Sequence, residues 1–189
     1  MNRKVWLSAV FVLAVVSLTW AKDPVVSGPK VGSEPGMYPV LLSTGAERGK
    51  SKCMFCDTGD RPAVVVFARN PGDNLGKLAA KLDKALAEHK AAELRCWVAF
   101  ISKEQETLDP QLVRWSKQHG LKSLPVGTYV DPNEGGPESY LLAREADVTV
   151  VMLVKQKVVA TFAFRAGELT DEAASPVLQA LPKLVDKKP

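Results

Sequence analysis

The segment CMFCDTGDRPAVVVFAR, residues 53–69, places two cysteines directly before an apolar run from Ala63 to Ala68. The run is rich in β-branched residues, is entered through Pro62, and is followed by the turn formers of residues 70–72. A strand that is apolar on both faces is typical of the centre of an α/β sheet. The segment therefore predicts a buried central strand with a two-cysteine motif at its start.

The position of the cysteines relative to this strand bears on function. Ligand crevices in open α/β sheets lie at the carboxyl ends of the strands, whereas Cys53 and Cys56 precede the amino end of this one. A strand of about six residues spans about 20 Å, at roughly 3.3 Å per residue. We therefore expect the cysteine pair at the sheet edge opposite to the usual crevice.

Alternating helical and strand patterns continue on both sides of the motif. Leu75, Leu78, Leu82 and Leu86 recur at intervals of three and four, which favours an amphipathic helix that Asp73 could cap. The predicted elements are an edge strand at 37–42, strands at 63–68, 94–102, 126–130, 148–154 and 158–164, and helices at 73–90, 109–119, 137–144 and from 170 or 175 to 185.

The N-terminus has the pattern of a secretory signal peptide. Residues 1–21 combine a basic start, an apolar core and a small residue at Ala21. The alternative is an uncleaved membrane anchor, but the apolar stretch is short for a bilayer span. Residues 22–37 are rich in Pro, Gly and Ser and indicate a flexible leader, so the domain should span 38–189. We expect a secreted or periplasmic protein.

Charge and cysteine content narrow the function classes. The net charge of +4 comes from dispersed Lys and Arg residues, which argues against a nucleic-acid surface. Three cysteines in a secreted chain predict one bridge and one leftover thiol. Cys53 and Cys56 form the local pair, and Cys96 is expected to pack as a small buried hydrophobe.

The order β-α-β-α-β-α-β-β-α, closed by the hairpin sequence VTVVMLVKQKVVATFAF (148–164) and a final helix, resembles the thioredoxin-like superfamily. The additional helix and strand after residue 102 resemble its redoxin and peroxiredoxin branch. The cysteine segment followed by this hairpin is also similar to a group of secreted bacterial proteins of this fold whose function is uncharacterised. The resemblance covers roughly residues 38–186. It implies a central mixed sheet of about five strands with helices on both faces.

The sequence departs from catalytic members of that superfamily at three places. Thioredoxins place their CxxC after the first core strand, where residues 69–74 of this chain contain no cysteine. The Thr and Cys of a peroxiredoxin are absent from the same loop. The proline that such folds keep before the closing hairpin would fall near residues 147–149, which contain none. The catalytic residues of the family therefore do not carry over.

Three interpretations of Cys53 and Cys56 remain open. The pair can be a structural disulfide, or a redox-active pair whose thiolate is favoured by the nearby Lys50, Lys52 and Arg61. It can also bind a metal, which would need further ligands such as Cys96. Haem attachment is excluded because the residue after Cys56 is an aspartate, not a histidine.

The remaining candidate residues give weaker signals. His89 and His119 each lie near a predicted helix end, where a solvated or half-packed histidine is common. Asp147 stands where the fold usually presents its substrate-contacting proline, although capping or exposure would also explain it. Trp97 and Trp115 are expected in core faces.

Two functional hypotheses follow. The first is a thiol-disulfide oxidoreductase or redox sensor of the cell envelope, in which Cys53 attacks or is attacked and Cys56 resolves the mixed disulfide of a protein partner. The second is a non-catalytic binding or structural module with the disulfide as a staple. Neither hypothesis needs a cofactor. The crevice around Arg69 to Asp73 and Asp147 is the place where a ligand pocket would appear.

Overall fold

The computed structural model describes residues 23–130 and 135–186. Within these ranges seven strands form a single mixed sheet with three α-helices, and the strand order is β2-β1-β5-β4-β3-β6-β7. In chain order the elements are β1 (Val40–Leu42), β2 (Ser51–Lys52), β3 (Ala63–Ala68), α1 (Asp73–Glu88), β4 (Arg95–Phe100), α2 (Gln105–Gln118), β5 (Val126–Tyr129), β6 (Val148–Val154), β7 (Lys157–Phe164) and α3 (Ser175–Val185). The predicted α/β class is confirmed.

Strand β3 lies inside the sheet and is buried along its whole length. It pairs in parallel with β4, with Val64 opposite Cys96, and antiparallel with β6, with Val64 opposite Met152. The sequence bounds of β3 and β6 match the prediction residue for residue; β3 is a continuous apolar run, and β6 is apolar except for Thr149. The sheet has seven strands where about five were expected: the predicted edge strand is present as β1, and β2 is a further short strand that the sequence did not predict.

The two faces of the sheet are covered unevenly. All three α-helices contribute to one hydrophobic cluster, called here the helix-side cluster, with Leu78, Leu112 and Leu181 among its members. The opposite cluster, called here the loop-side cluster, is closed by a 3-10 helix at Glu138–Tyr140 and by irregular segments. Its buried members include Tyr38, Phe55, Phe67, Trp97 and Tyr140.

Three local predictions need correction. Helix α2 begins at Gln105, one turn before the expected cap, so Pro110 lies inside the helix. Asp73 makes no side-chain capping hydrogen bond, and Gly72 is the N-cap of α1. The helix expected at 137–144 is reduced to the 3-10 helix, which ends at Leu141 in a left-handed conformation. Each error concerns a helix end, where short polar residues and prolines give ambiguous signals.

The segment before the domain is partly described. The predicted signal peptide, residues 1–21, lies outside the described residues. In the part of the chain that is described, each helix is too short or too polar to cross a membrane. Residues 23–37 contain no helix or strand, and they dock on β7: the amide of Gly32 donates to the carbonyl of Val158, and the amide of Val158 donates to the carbonyl of Ser33.

Candidate functional site

Cys53 and Cys56 form a disulfide, with their Cα atoms 5.3 Å apart. The local pairing predicted from the sequence is therefore confirmed. Cys53 is half-buried and packs against the loop-side cluster, whereas Cys56 is exposed. The backbone amide of Cys56 donates a hydrogen bond to Sγ of Cys53 at 3.1 Å. The two sulfurs are thus not equivalent.

The cysteine loop is held by one core side chain and by local hydrogen bonds. Phe55, between the cysteines, is only 5% exposed and packs in the loop-side cluster. The hydroxyl and the amide of Thr58 both donate to the carbonyl of Phe55, at 2.8 and 3.1 Å. Arg61 in turn donates through Nε to the carbonyl of Thr58 at 2.9 Å. These bonds pair polar backbone groups inside a tight turn and fix the loop on the domain.

The loop lies at the amino end of β3, as the sequence predicts. The carbonyl of Pro62 accepts from the amide of Arg95, which begins β4. The carbonyl of Asp60 accepts from Lys155 in the turn between β6 and β7. Helix α1 begins beyond the opposite end of β3, so its positive end lies too far away to act on either sulfur.

Paired charges surround the disulfide. Nζ of Lys52 lies 2.6 Å from a carboxylate oxygen of Glu47 and 2.9 Å from one of Asp57. The hydrogen bond between Lys52 and Glu47 raises the pKa of the lysine and lowers that of the glutamate. Arg61 lies 3.8 Å from Glu93. Two of the three cations expected to stabilise a thiolate, Lys52 and Arg61, therefore have carboxylate partners.

A cleft of about 430 Å³ opens beside the cysteine loop. Its lining includes Met54 and Asp57, each of which directly follows a cysteine of the disulfide, and the apolar side chains Leu86 and Leu94. Its wall combines apolar and charged side chains contributed by the first hairpin, the cysteine loop, α1, β4 and the segment before β5. Sequence reasoning missed this cleft because its walls come from segments far apart in the chain.

Comparison with known proteins shows the fold. No family model and no curated protein matches the chain. Solved structures do match it: a candidate protein disulfide isomerase from Bacteroides thetaiotaomicron (TM-score 0.63, 15% identity, 85% of this chain and 94% of that one) and the peroxidoxin BcpB from Mycobacterium tuberculosis (0.58, 14%, 82% and 97%).

An uncharacterised conserved protein from Geobacillus kaustophilus also matches (0.63, 14%, 87% of each chain). This chain has a thioredoxin-like fold. At 14 to 15% identity the likeness concerns architecture and not activity.

Cys96, the third cysteine, is a core residue of this domain. It is 3% exposed, and its side chain belongs to the helix-side cluster, whereas Cys53 and Met54 pack against the loop-side cluster. Burial raises the pKa of the Cys96 thiol far above its ordinary value. No group of three metal-ligating side chains comes together among the described residues. Cys96 nevertheless lies at the same end of the sheet as the disulfide, because it lines the cleft beside the cysteine loop together with Met54 and Asp57.

The edge where thioredoxins carry their cysteines holds polar contacts in this chain. Nδ2 of Asn70 donates to Oδ1 of Asp147 at 2.8 Å, and Arg69 donates to the carbonyls of Ala143 and Ala146. Two clefts of about 390 and 210 Å³ lie on either side of this region. The sequence left open whether a pocket exists at this edge; the structure shows these two clefts there, and Asp147 is engaged by Asn70.

His119 is more deeply placed than its position at a helix end suggested. Its side chain is 10% exposed and packs edge-on against Trp115, with ring centroids 5.4 Å apart. Nε2 lies 3.8 Å from Oδ1 of Asp73 at the start of α1. The indole of Trp115 donates to the carbonyl of Gly72 at 3.0 Å. These contacts connect the end of α2 to the start of α1, and no sequence motif predicts them.

Proposed function

We propose that this protein is a thiol-disulfide exchange protein of the cell envelope, which exchanges the Cys53–Cys56 disulfide with thiols of a protein partner. The observation that carries the proposal is the placement of a local disulfide, with one exposed cysteine, on the surface of a thioredoxin-like domain. Exchange requires that an incoming thiolate reach a disulfide sulfur, and the exposure of Cys56 allows this.

The adjoining cleft supports a polypeptide as the partner. Its volume of about 430 Å³ can accept one or two side chains, and Leu86 and Leu94 offer apolar contact beside the charged pair of Lys52 and Asp57. A peptide that carries a cysteine could place the flanking side chains there while its sulfur approaches the loop. Apolar walls with a few polar groups are usual for binding sites.

The envelope location rests on two sequence features. The predicted signal peptide would export the chain, and a stable local disulfide suits an oxidising compartment. In the cytosol, the glutathione and thioredoxin systems would keep such a pair reduced. The proposal therefore includes both export and a partner exposed to the same compartment.

The deciding experiment is the reduction potential of the pair. The purified chain would be equilibrated with dithiothreitol redox buffers, and the oxidised fraction would be read by alkylation and mass spectrometry. A potential above about −300 mV is expected, because structural disulfides typically lie below that value. Cys96→Ala serves as the control and should leave the potential unchanged, since Cys96 is 3% exposed and packs in the helix-side cluster.

A second measurement addresses exchange itself. Reduced protein should accelerate the reduction of insulin disulfides, and the Cys53→Ser/Cys56→Ser double variant should not. A potential below about −300 mV together with no acceleration would refute the exchange function.

One observation favours a second candidate, a binding or structural module with a stapling disulfide. The carboxylates of Glu47 and Asp57 compensate the charge of Lys52. Helix α1, the first helix after the loop, begins at the far end of β3. A nearby uncompensated cation and an adjacent helix N-terminus are the features that usually lower a thiol pKa and make a pair reactive. The compensation of Lys52 and the distance of the helix therefore favour a stapling disulfide. If the potential proves low, the cleft beside the loop becomes the binding surface of such a module.

A further inference from the structure

We propose that Cys56, the second cysteine of the pair, is the sulfur that an incoming thiolate attacks, and that Cys53 is the leaving thiolate. This inference rests on the proposed exchange function and reverses the roles expected from the sequence, in which Cys53 reacts with the partner and Cys56 resolves. Two observations support it: the burial of each cysteine and the hydrogen bond between them.

Access favours Cys56. A thiolate attacks a disulfide in line with the sulfur–sulfur bond, from the side remote from the leaving sulfur. Cys56 is exposed, whereas Cys53 is half-buried and packs against the loop-side cluster. Phe55 between them is fixed in that cluster at 5% exposure. Turning Cys53 outward would therefore require this aromatic anchor to leave the core.

The hydrogen bond favours Cys53 as the leaving group. The amide of Cys56 donates to Sγ of Cys53 at 3.1 Å, and a donor aimed at a sulfur stabilises the negative charge that develops on it. Among the described residues no hydrogen bond is made to the sulfur of Cys56. A thiolate with a lower pKa leaves faster, so departure of Cys53 is the easier of the two reactions.

The cleft brings a partner to the disulfide without distinguishing its two sulfurs. Met54, the residue after Cys53, and Asp57, the residue after Cys56, both line it. A peptide seated there therefore lies beside the pair, and the choice between the sulfurs rests on burial and on the hydrogen bond.

The reaction balances without a further reagent. A thiolate of the partner forms a bond to Sγ of Cys56 as the Cys53–Cys56 bond breaks, and Cys53 retains the electron pair and later takes a proton. A second thiolate of the partner then attacks its own first sulfur and releases Cys56 as a thiolate. The partner dithiol is oxidised to a disulfide by two electrons, and the pair is reduced to two thiols.

The test locates the first adduct. Oxidised Cys96→Ala protein, in which only the pair can react, would be mixed with excess glutathione, quenched with acid after short intervals, and mapped by peptide mass spectrometry. A parallel reaction with inorganic sulfite, with iodoacetamide present to block the released thiol, gives an S-sulfonate that persists through digestion. We expect adduct on Cys56 in at least tenfold excess over Cys53 with both nucleophiles.

The same reactions in guanidinium chloride provide the control. Unfolding removes the burial and the anchoring by Phe55, so the adduct should divide nearly evenly between the two cysteines. Adduct mainly on Cys53, or an even division in the folded protein, would overturn this assignment and leave the exchange function standing. No adduct on either cysteine of the folded protein with both nucleophiles would instead refute the proposed function, and the assignment with it.

Discussion

At the scale of single residues, the disulfide combines an exposed cysteine with neighbouring charges that largely compensate one another. Cys56 is open to solvent, yet Lys52 is bound by two carboxylates, and Arg61 is held by backbone carbonyls of its own loop. An exposed cysteine permits exchange, whereas compensated charges give a thiolate little electrostatic stabilisation. We therefore expect slow exchange, with selectivity between the two sulfurs set by burial and hydrogen bonding.

Removing the disulfide should cost little stability. The bridge closes a ring with a sequence separation of only three residues, so the chain-entropy model gives about 2 kcal/mol. We expect the free energy of unfolding of the Cys53→Ala/Cys56→Ala variant to be lower by this amount, with an unchanged slope against urea concentration. Dithiothreitol should shift the wild-type curve by a similar amount and leave the variant's curve in place. A loss well above this value would mean that the bond fixes Phe55 and the loop as well.

At the scale of elements, the packing of α1 against the end of α2 depends on one glycine. A Cβ built on Gly76 would lie 2.2 Å from ring atoms of His119, and that ring is held against Trp115. Gly76 lies within α1, where alanine would otherwise be preferred by roughly 1 kcal/mol. Steric overlap and helix propensity therefore oppose each other at this position, and the overlap dominates.

The Gly76→Ala variant tests this balance. Overpacking typically costs 1–3 kcal/mol, so after the gain in propensity we expect a net loss of about 1 kcal/mol in the free energy of unfolding, measured by urea denaturation. In a His119→Ala background the same substitution should become neutral or stabilising, because the ring is gone. Equal effects in the two backgrounds would show that the contact is not what excludes alanine.

The docking of residues 23–37 on β7 also depends on a glycine. Gly28 has φ +103°, and an added Cβ would lie 2.3 Å from Cγ2 of Thr161 on β7. Its neighbour Ser27 is buried and its hydroxyl lies 2.7 Å from that of Thr149 on β6. The segment of residues 23–37 is therefore seated on the sheet through close backbone approach, which only glycine allows.

Gly28→Ala should release this segment from β7. We expect trypsin to cleave after Lys30 several-fold faster than in the wild-type protein, since docking shields the backbone. Gly32→Ala is the matched control, because Gly32 has a similar φ of +89° and no atom within 4 Å of an added Cβ. Equal cleavage rates in the two variants would trace the effect to backbone strain, and the contact with Thr161 would then be irrelevant.

How well the sequence predicts an element depends on whether its signal is local. The sequence predicts strands β3 and β6 residue for residue because both are short, almost wholly apolar and rich in β-branched residues. The start of α2 was wrong because Asp109 and Pro110 form a valid cap and first turn by themselves. The true start uses Ser102, whose hydroxyl accepts from the amide of Glu104 at 3.0 Å, a contact that the residue pattern does not distinguish from a turn.

At the scale of the whole molecule, sheet topology separates the two ends of the domain. The cysteine loop and its cleft lie at the amino end of β3, and the polar crevice of Asn70 and Asp147 lies at the carboxyl end. The sequence predicts this separation because the motif precedes a strand of known length. It does not predict the cleft, whose walls combine residues 42–57, 86–97 and 123–125, nor the pairing of Lys52 with two carboxylates. Such contacts depend on tertiary structure and not on local pattern.

Buried ionisable groups in both clusters make the stability of the whole domain sensitive to alkaline pH. Burial raises the pKa of Cys96 above its ordinary value of 9.0 and the pKa values of Tyr38 and Tyr140 above 10.0. The folded chain keeps these protons at a pH where the unfolded chain releases them. The contribution of these groups to the free energy of unfolding is therefore fully present below pH 9 and falls as the pH rises further.

The slope of that decline can be assigned to Cys96. Each such group contributes about 1.4 kcal/mol per pH unit once the pH exceeds its unfolded-state pKa, so the thiol acts from about pH 9 and the two tyrosines add from about pH 10. Urea unfolding of the oxidised protein between pH 8 and 10 should show a decline that Cys96→Ala removes, because the disulfide-bonded cysteines do not titrate. The variant's stability at pH 8 can differ through lost packing, so the comparison is between slopes. Identical slopes in the two proteins would mean that the Cys96 thiol ionises as readily in the folded domain as in the unfolded chain, which a side chain buried to this degree should not permit.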